Sequence, residues 1–171
     1  MIRALLLVVA AVLLGAAGEN FPVPQDANLI FYLQRSVNSN TIVYTARLDG
    51  EGRIDPSQPV DVFWRRFNDE GERKELSNLE REVAFGVKAR AVPGQPGAFK
   101  VRVVSYRKRP ALLRVVDGKP RLEAKVAGVP CRLDHAYLEV DESGTIPSIT
   151  RVDLYGYSLE TGKLVKESFT P

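Results

Sequence analysis

The sequence predicts an all-β fold, mainly antiparallel: a meandering β-barrel or a two-sheet sandwich of about nine strands with one short helix. Three observations carry this. Nine stretches rich in β-branched and aromatic residues recur from Leu29 onward, several alternating apolar with polar residues. Turn residues separate most of them, as in Asp49-Gly50-Glu51-Gly52, Asp117-Gly118-Lys119-Pro120 and Glu160-Thr161-Gly162-Lys163. Helical spacing occurs in one short stretch, between Ser77 and Gly86.

Taken in order, the chain opens on Met1-Ile2-Arg3, an unbroken apolar run over 4–14, and the small residues Gly15-Ala16-Ala17-Gly18. That layout predicts a secretory signal peptide over 1–17, cleaved after Ala17 or one residue later. The alternative is a buried N-terminal helix. An apolar run of 11 residues is too short to span a bilayer, which takes about 20. Export to a periplasmic or extracellular location follows, with no transmembrane segment in the mature chain. No Cys follows the cleavage site, so a lipid anchor is not expected. Residues 18–28 hold Pro22 and Pro24 without periodicity and read as an extended arm. Residues 29–171 read as a single β domain.

Within that domain the strand-like runs are 29–33, 41–48, 60–67, 98–106, 111–116, 121–127, 132–140, 149–157 and 163–169. The cleanest alternation puts Leu122, Ala124 and Val126 inward and charges outward, the mark of a sheet with one wet face. So many strands on short connections favour a closed or two-layer arrangement that protects sheet edges. The helix is predicted over 78–85. Ser77 and Glu80 form a capping box, Leu76, Leu79 and Val83 recur at helical spacing, and Gly86 is placed to end it in a left-handed conformation.

Composition narrows the chemistry. Removing the signal peptide leaves a net charge of about +2, too balanced for a nucleic-acid binder without a dense basic patch. Cys131 is the only cysteine, so no disulfide forms within the chain. It is either buried or open to a partner, and its apolar surroundings favour burial. His135 is the only histidine, which excludes a His-rich zinc site. On a regular strand Cys131 and His135 share a face about 13 Å apart, too far for a nucleophile and its base. Asp134 then points to the opposite face from His135. No Gly-x-Ser-x-Gly elbow, phosphate-cradling loop or calcium loop is present, and no cofactor or metal is implied. The acids lie mostly in turns, where solvation explains them.

Two basic or polar stretches stand out. Arg107-Lys108-Arg109 before Pro110 reads as a solvated loop between strands, or as an anion contact for a lipid headgroup or polysaccharide. In 33–44, LQRSVNSNTIVY, Asn38-Ser39-Asn40 supplies turn residues. Leu29, Phe31 and Leu33 share a face that Arg35 extends to the mouth of the fold. Trp64 continues the apolar face of Val60 and Val62, and Arg66 emerges at its rim. The candidate ligand site is a pocket rimmed by Gln34, Arg35, Asn38, Asn40, Arg66 and Tyr106. Arg35 either meets a ligand there or fastens the hairpin to a neighbouring Asp or Glu. The leading expectation is a non-enzymatic binding or envelope-support module for an unknown small molecule or envelope component. The rivals are a hydrolase or lyase acting on envelope carbohydrate or lipid, and a structural interaction module.

Several motifs together carry a family resemblance: Phe31-Tyr32-Leu33-Gln34-Arg35-Ser36 with Asn38, Asn40 and Thr41; Val62-Phe63-Trp64-Arg65-Arg66-Phe67; Ala84-Phe85-Gly86; Val104-Ser105-Tyr106; Leu154-Tyr155-Gly156; and Thr161-Gly162-Lys163 with Glu167. Over nearly the whole mature chain the sequence resembles domain of unknown function 4833. The resemblance implies a secreted or envelope-associated bacterial protein and brings no activity, substrate or cofactor with it. Phe67 and Phe85 stand where the family more often has tyrosine, removing two phenolic hydroxyls.

Overall fold

The computed structural model describes residues 21–145 and 147–171. The expected signal peptide lies outside them. Eleven strands form one mostly antiparallel sheet that does not close on itself. They are β1 (Leu29–Arg35), β2 (Asn38–Ala46), β3 (Val60–Arg66), β4 (Glu72–Glu75), β5 (Val87–Ala91), β6 (Phe99–Val103), β7 (Tyr106–Val116), β8 (Lys119–Val126), β9 (Val129–Asp141), β10 (Ser148–Ser158) and β11 (Leu164–Phe169). The order is β4-β3-β2-β1-β9-β8-β7-β6-β5, with β10 on the other edge of β9 and β11 beyond it.

The hub is β9. Its first residues pair with β8 through Val126↔Val129 to Glu123↔Arg132, and its later ones pair parallel with β1 through Tyr32↔His135 to Arg35↔Leu138. Both partners use the same edge in succession, because β10 lines the other edge along most of β9. Between the two sets the pairing with β10 slips: Tyr155 faces His135, but Gly156 faces Leu133. Asp134 is the extra residue of a β-bulge at the point where β9 exchanges partners. Gly156 fits here because a Cβ would stand 2.9 Å from the Arg132 carbonyl oxygen and from Cys131 Cβ.

The bulge corrects two expectations. It reverses the alternation, so Cys131 and Leu133 face inward before it and Ala136 and Leu138 face inward after it. Cys131 and His135 therefore lie on opposite faces. Asp134 and His135 share the outer face, with Asp134 Oδ2 2.7 Å from His135 Nδ1.

Two strands exceed the expected nine, β4 and β5, both at the ends of the sheet order. The segment 107–110 is no loop between strands. It lies within β7, carried out of the ladder where the register jumps from Val101↔Ala111 to Val103↔Tyr106. That jump accommodates Pro110, which has no N–H to donate.

The capping box forms: the Ser77 N–H and Oγ reach Glu80 Oε2 at 2.8 and 2.7 Å, and the Glu80 N–H reaches Ser77 Oγ at 3.2 Å. The helical stretch then widens over Glu80–Ala84, where the Phe85 N–H bonds to the Glu80 carbonyl. Gly86 does not adopt the left-handed conformation. It is needed for closeness instead, since a Cβ would sit 1.9 Å from the Arg81 carbonyl oxygen. Leu76 is buried, but Leu79 and Val83 are 69% and 60% exposed, so the expected apolar face does not meet the core.

The core lies on the concave side of the sheet, with Ile42, Val62, Leu113 and Val126 among others. The arm preceding β1 is tied down along β1 to β3. Arg65 pairs with Asp26, the Ala46 N–H bonds to the Asn28 carbonyl, and the Gln34 amide reaches the Pro22 carbonyl.

Candidate functional site

The concave face is not completely filled. A partly open cavity of about 180 Å³ lies among the inward side chains of the sheet. Phe31 and Leu33 from β1, Val101 from β6, Leu122 from β8, Ala136 and Leu138 from β9 and Leu154 from β10 are among its walls. These side chains all come from inward positions of alternating strands, so the bulge decides which β9 residues take part. The Tyr44 hydroxyl also reaches the wall, but it donates to the Phe85 carbonyl at 2.9 Å, and burial raises its pKa. The interior therefore offers almost no polar group, and a buried water needs two to four partners.

Ser105, Tyr106, Arg109, Ile149, Phe169 and Pro171 also line the cavity, and the exposure of Ser105, Ile149 and Pro171 marks this end as its mouth. A clasp closes part of it. Arg109 donates two hydrogen bonds to Glu167, at 2.6 and 2.7 Å, and the Ala127 N–H donates a third at 2.6 Å. The Arg109 guanidinium, with help from that N–H, holds the Glu167 carboxyl down at about 2. Phe169 stacks on Tyr106 with ring centroids 5.4 Å apart, and Arg109 covers it at 5.1 Å. The ends of β7 and β11 are thus held together beside the opening.

A second, polar pocket of about 390 Å³ lies at the end of the β1–β2 hairpin. Arg35, Asn40, Trp64, Arg66, Lys74 and Glu80 are among its lining residues. The Arg35 guanidinium lies 4.8 Å from the Trp64 ring centroid, while Trp64 donates to Glu80 at 3.1 Å and meets Phe85 edge-on. Arg35 does not fasten the hairpin to an acid: among the described residues it makes no ion pair. Its side-chain hydrogen bond to Asn38 Oδ1 is long at 3.5 Å, and its Nε is buried without a partner among the described residues. Burial lowers its pKa, against the opposing pull of Glu142 and Glu80.

The six residues expected at one rim divide into three groups. Arg35, Asn40 and Arg66 line the polar pocket, with Asn38 beside them. Gln34 lies on the opposite face of β1 and holds the arm. Tyr106 stands at the mouth of the apolar cavity. The turn also moves: it is Ser36-Val37, and Asn38 to Asn40 already belong to β2. Asn38 Oδ1 accepts the Asn40 N–H, and Asn40 Oδ1 accepts the Asn68 N–H, so these side chains splice the hairpin to the neighbouring loop. Ser36 Oγ accepts the Val140 N–H, so the first turn residue is polar because it ties the hairpin to β9.

Pattern reading also missed an outer-face ladder. His135 is sandwiched between Tyr32 and Tyr155, at 5.0 and 4.3 Å. Burial, then Asp134 and Tyr157, pushes the Tyr32 phenol up to about 12, so it stays protonated and is no activated base. Among the described residues no group of three or more His, Cys, Asp or Glu could hold a metal, and no helix is long and apolar enough to cross a membrane.

The model of a family described as domain of unknown function (DUF4833) matches residues 31–168. The chain belongs to that family. No curated protein and no solved structure matches it.

Proposed function

We propose that this DUF4833 member is an exported, non-enzymatic binding module that takes a small apolar molecule, or the apolar part of a larger one, into its concave interior. The observation that carries this is the open cavity of about 180 Å³ with nearly no polar lining. Ligand sites are typically concave and mostly apolar, with a few polar groups fixing orientation. Here those groups stand at the mouth, where Tyr106 and Arg109 can meet a polar end. An apolar cavity of comparable size, about 150 Å³, binds a benzene ring.

The test is uptake of the neutral fluorophore N-phenyl-1-naphthylamine. Saturable fluorescence enhancement is expected, and it should be lost in Ala136→Leu, whose added bulk enters the cavity. Thermal unfolding of that variant gives a second readout. Extra methylenes in a filled core cost about 1–3 kcal/mol, whereas filling a void leaves stability unchanged or raised. No uptake, together with a destabilised Ala136→Leu, defeats the proposal.

A further inference from the structure

On the outer face of β5 and β6 the sheet carries a run of positive charge. Strands β5 and β6 pair Lys88 with Arg102 and Arg90 with Lys100, so two like-charged pairs stand directly opposite each other. These four, joined by Arg107, line one depression of about 220 Å³ that contains no acid. Among the described residues none of the five makes an ion pair. Like charges directly opposite on a sheet are destabilising. Lysines on an edge strand deter aggregation, which accounts for β5 but not for Lys100 and Arg102 on the interior strand β6. The near-neutral total hides this face, because the acids are consumed in ion pairs elsewhere, such as Glu167 with Arg109 and Glu123 with Arg114.

The cations of β5 and β6 point to the outer face, since Phe99 and Val101 beside them face the core, and this face meets the cavity only at the strand end, where Val103 lines both. The helical turn also closes onto the same hairpin, through Ser105 Oγ to the Ala84 carbonyl at 2.6 Å and the Val104 N–H to the Gly86 carbonyl at 2.9 Å. That turn carries the exposed Leu79 and Val83.

We propose that this face docks the protein onto an anionic lipid bilayer, with the five cations on the headgroups and Leu79 and Val83 at the acyl boundary. Basic residues near an anionic surface attract it additively, and apolar side chains among them enter the interface. An acidic polymer would use the cations but would have no use for the exposed apolar pair. The docking does not rest on the cavity reading.

The experiment is co-sedimentation of the purified protein with phosphatidylcholine vesicles, with and without phosphatidylglycerol. Binding to the anionic vesicles only is expected, weakening steeply between about 0.05 and about 0.5 M salt. The double variant Lys100→Glu, Arg102→Glu turns both like-charged pairs into opposite ones. It should unfold at the same or a higher temperature yet bind anionic vesicles more than about tenfold more weakly. Equal binding to neutral vesicles, retained binding by that variant, or no vesicle binding overturns the proposal. So does tighter binding to heparin or duplex DNA than to vesicles. Ala136→Leu separates the two readings: it should lose the fluorophore and keep the vesicles. Fluorophore uptake without vesicle binding leaves the cavity reading standing and removes the docking.

Discussion

Replacing Glu167 with Gln tests the clasp at the mouth. The Arg109 guanidinium and the Ala127 N–H hold this carboxyl at about 2 instead of 4.5. At roughly 1.4 kcal/mol per pH unit, full linkage gives a ceiling of about 3 kcal/mol. The Arg109 and Glu167 side chains are 29% and 24% exposed, and solvent screening leaves about 1–2 kcal/mol. For a chain of this size that is a fall of roughly 3–6 °C in melting temperature at pH 7. The sign follows from the depressed pKa. The contribution is complete above the unfolded-state value near 4.5 and is lost as pH falls through about 2. Thermal unfolding of both proteins, followed by circular dichroism from pH 7 to pH 2, should show the gap closing with acid. A gap of the same size at pH 2 would mean that Gln fails by shape, and no gap at pH 7 would mean that the clasp contributes nothing. Either result refutes the electrostatic account.

At Gly156 an added methyl group meets the backbone of β9 at 2.9 Å, so Gly156→Ala should cost about 2–4 kcal/mol in urea unfolding; a cost under about 0.5 kcal/mol would show that the bulge yields freely. Arg35→Met removes a buried Nε without an acceptor and keeps an apolar stem over Trp64. Stability should stay level or rise by up to about 2 kcal/mol, and a loss above about 1 kcal/mol would show that the guanidinium braces the hairpin.

What the sequence revealed and what it concealed divide along one physical line. A strand with one dry and one wet face announces itself by alternation, so the nine such runs were legible. β4 is Glu-Arg-Lys-Glu, exposed throughout, and two of the five residues of β5 are charged; as the ends of the sheet they bury too little to leave an apolar signature. The capping box was legible because it is made within four residues. The fate of Leu79 and Val83 was not, because helical spacing does not say what stands opposite. The same holds at the hairpin, where alternation separated Arg35 from Gln34 but could not say that Gln34 meets the arm. The cross-strand cations were visible as Lys88-x-Arg90 and Lys100-x-Arg102, a signal that becomes a patch only once the two segments are paired.

The bulge at Asp134 shows why the site was harder to read than the fold. Its cause lies outside β9: one edge must serve β8 and then β1, and no local motif records that exchange. Its effect extends to every later residue of the strand, since a slip of one residue turns each side chain to the other face. Were β9 regular, the inward set would continue from Cys131 and Leu133 to His135 and Tyr137. The polar ring of His135 would then stand in the apolar interior, and Ala136 and Leu138 would face outward. The extra residue instead places Ala136 and Leu138 on the cavity wall and returns His135 to the outer face between Tyr32 and Tyr155. The cavity and the aromatic ladder are therefore two faces of one register choice. Deleting Asp134 would make β9 regular and keep both, since His135 would then follow Leu133 on the outer face and Ala136 and Leu138 would still face inward.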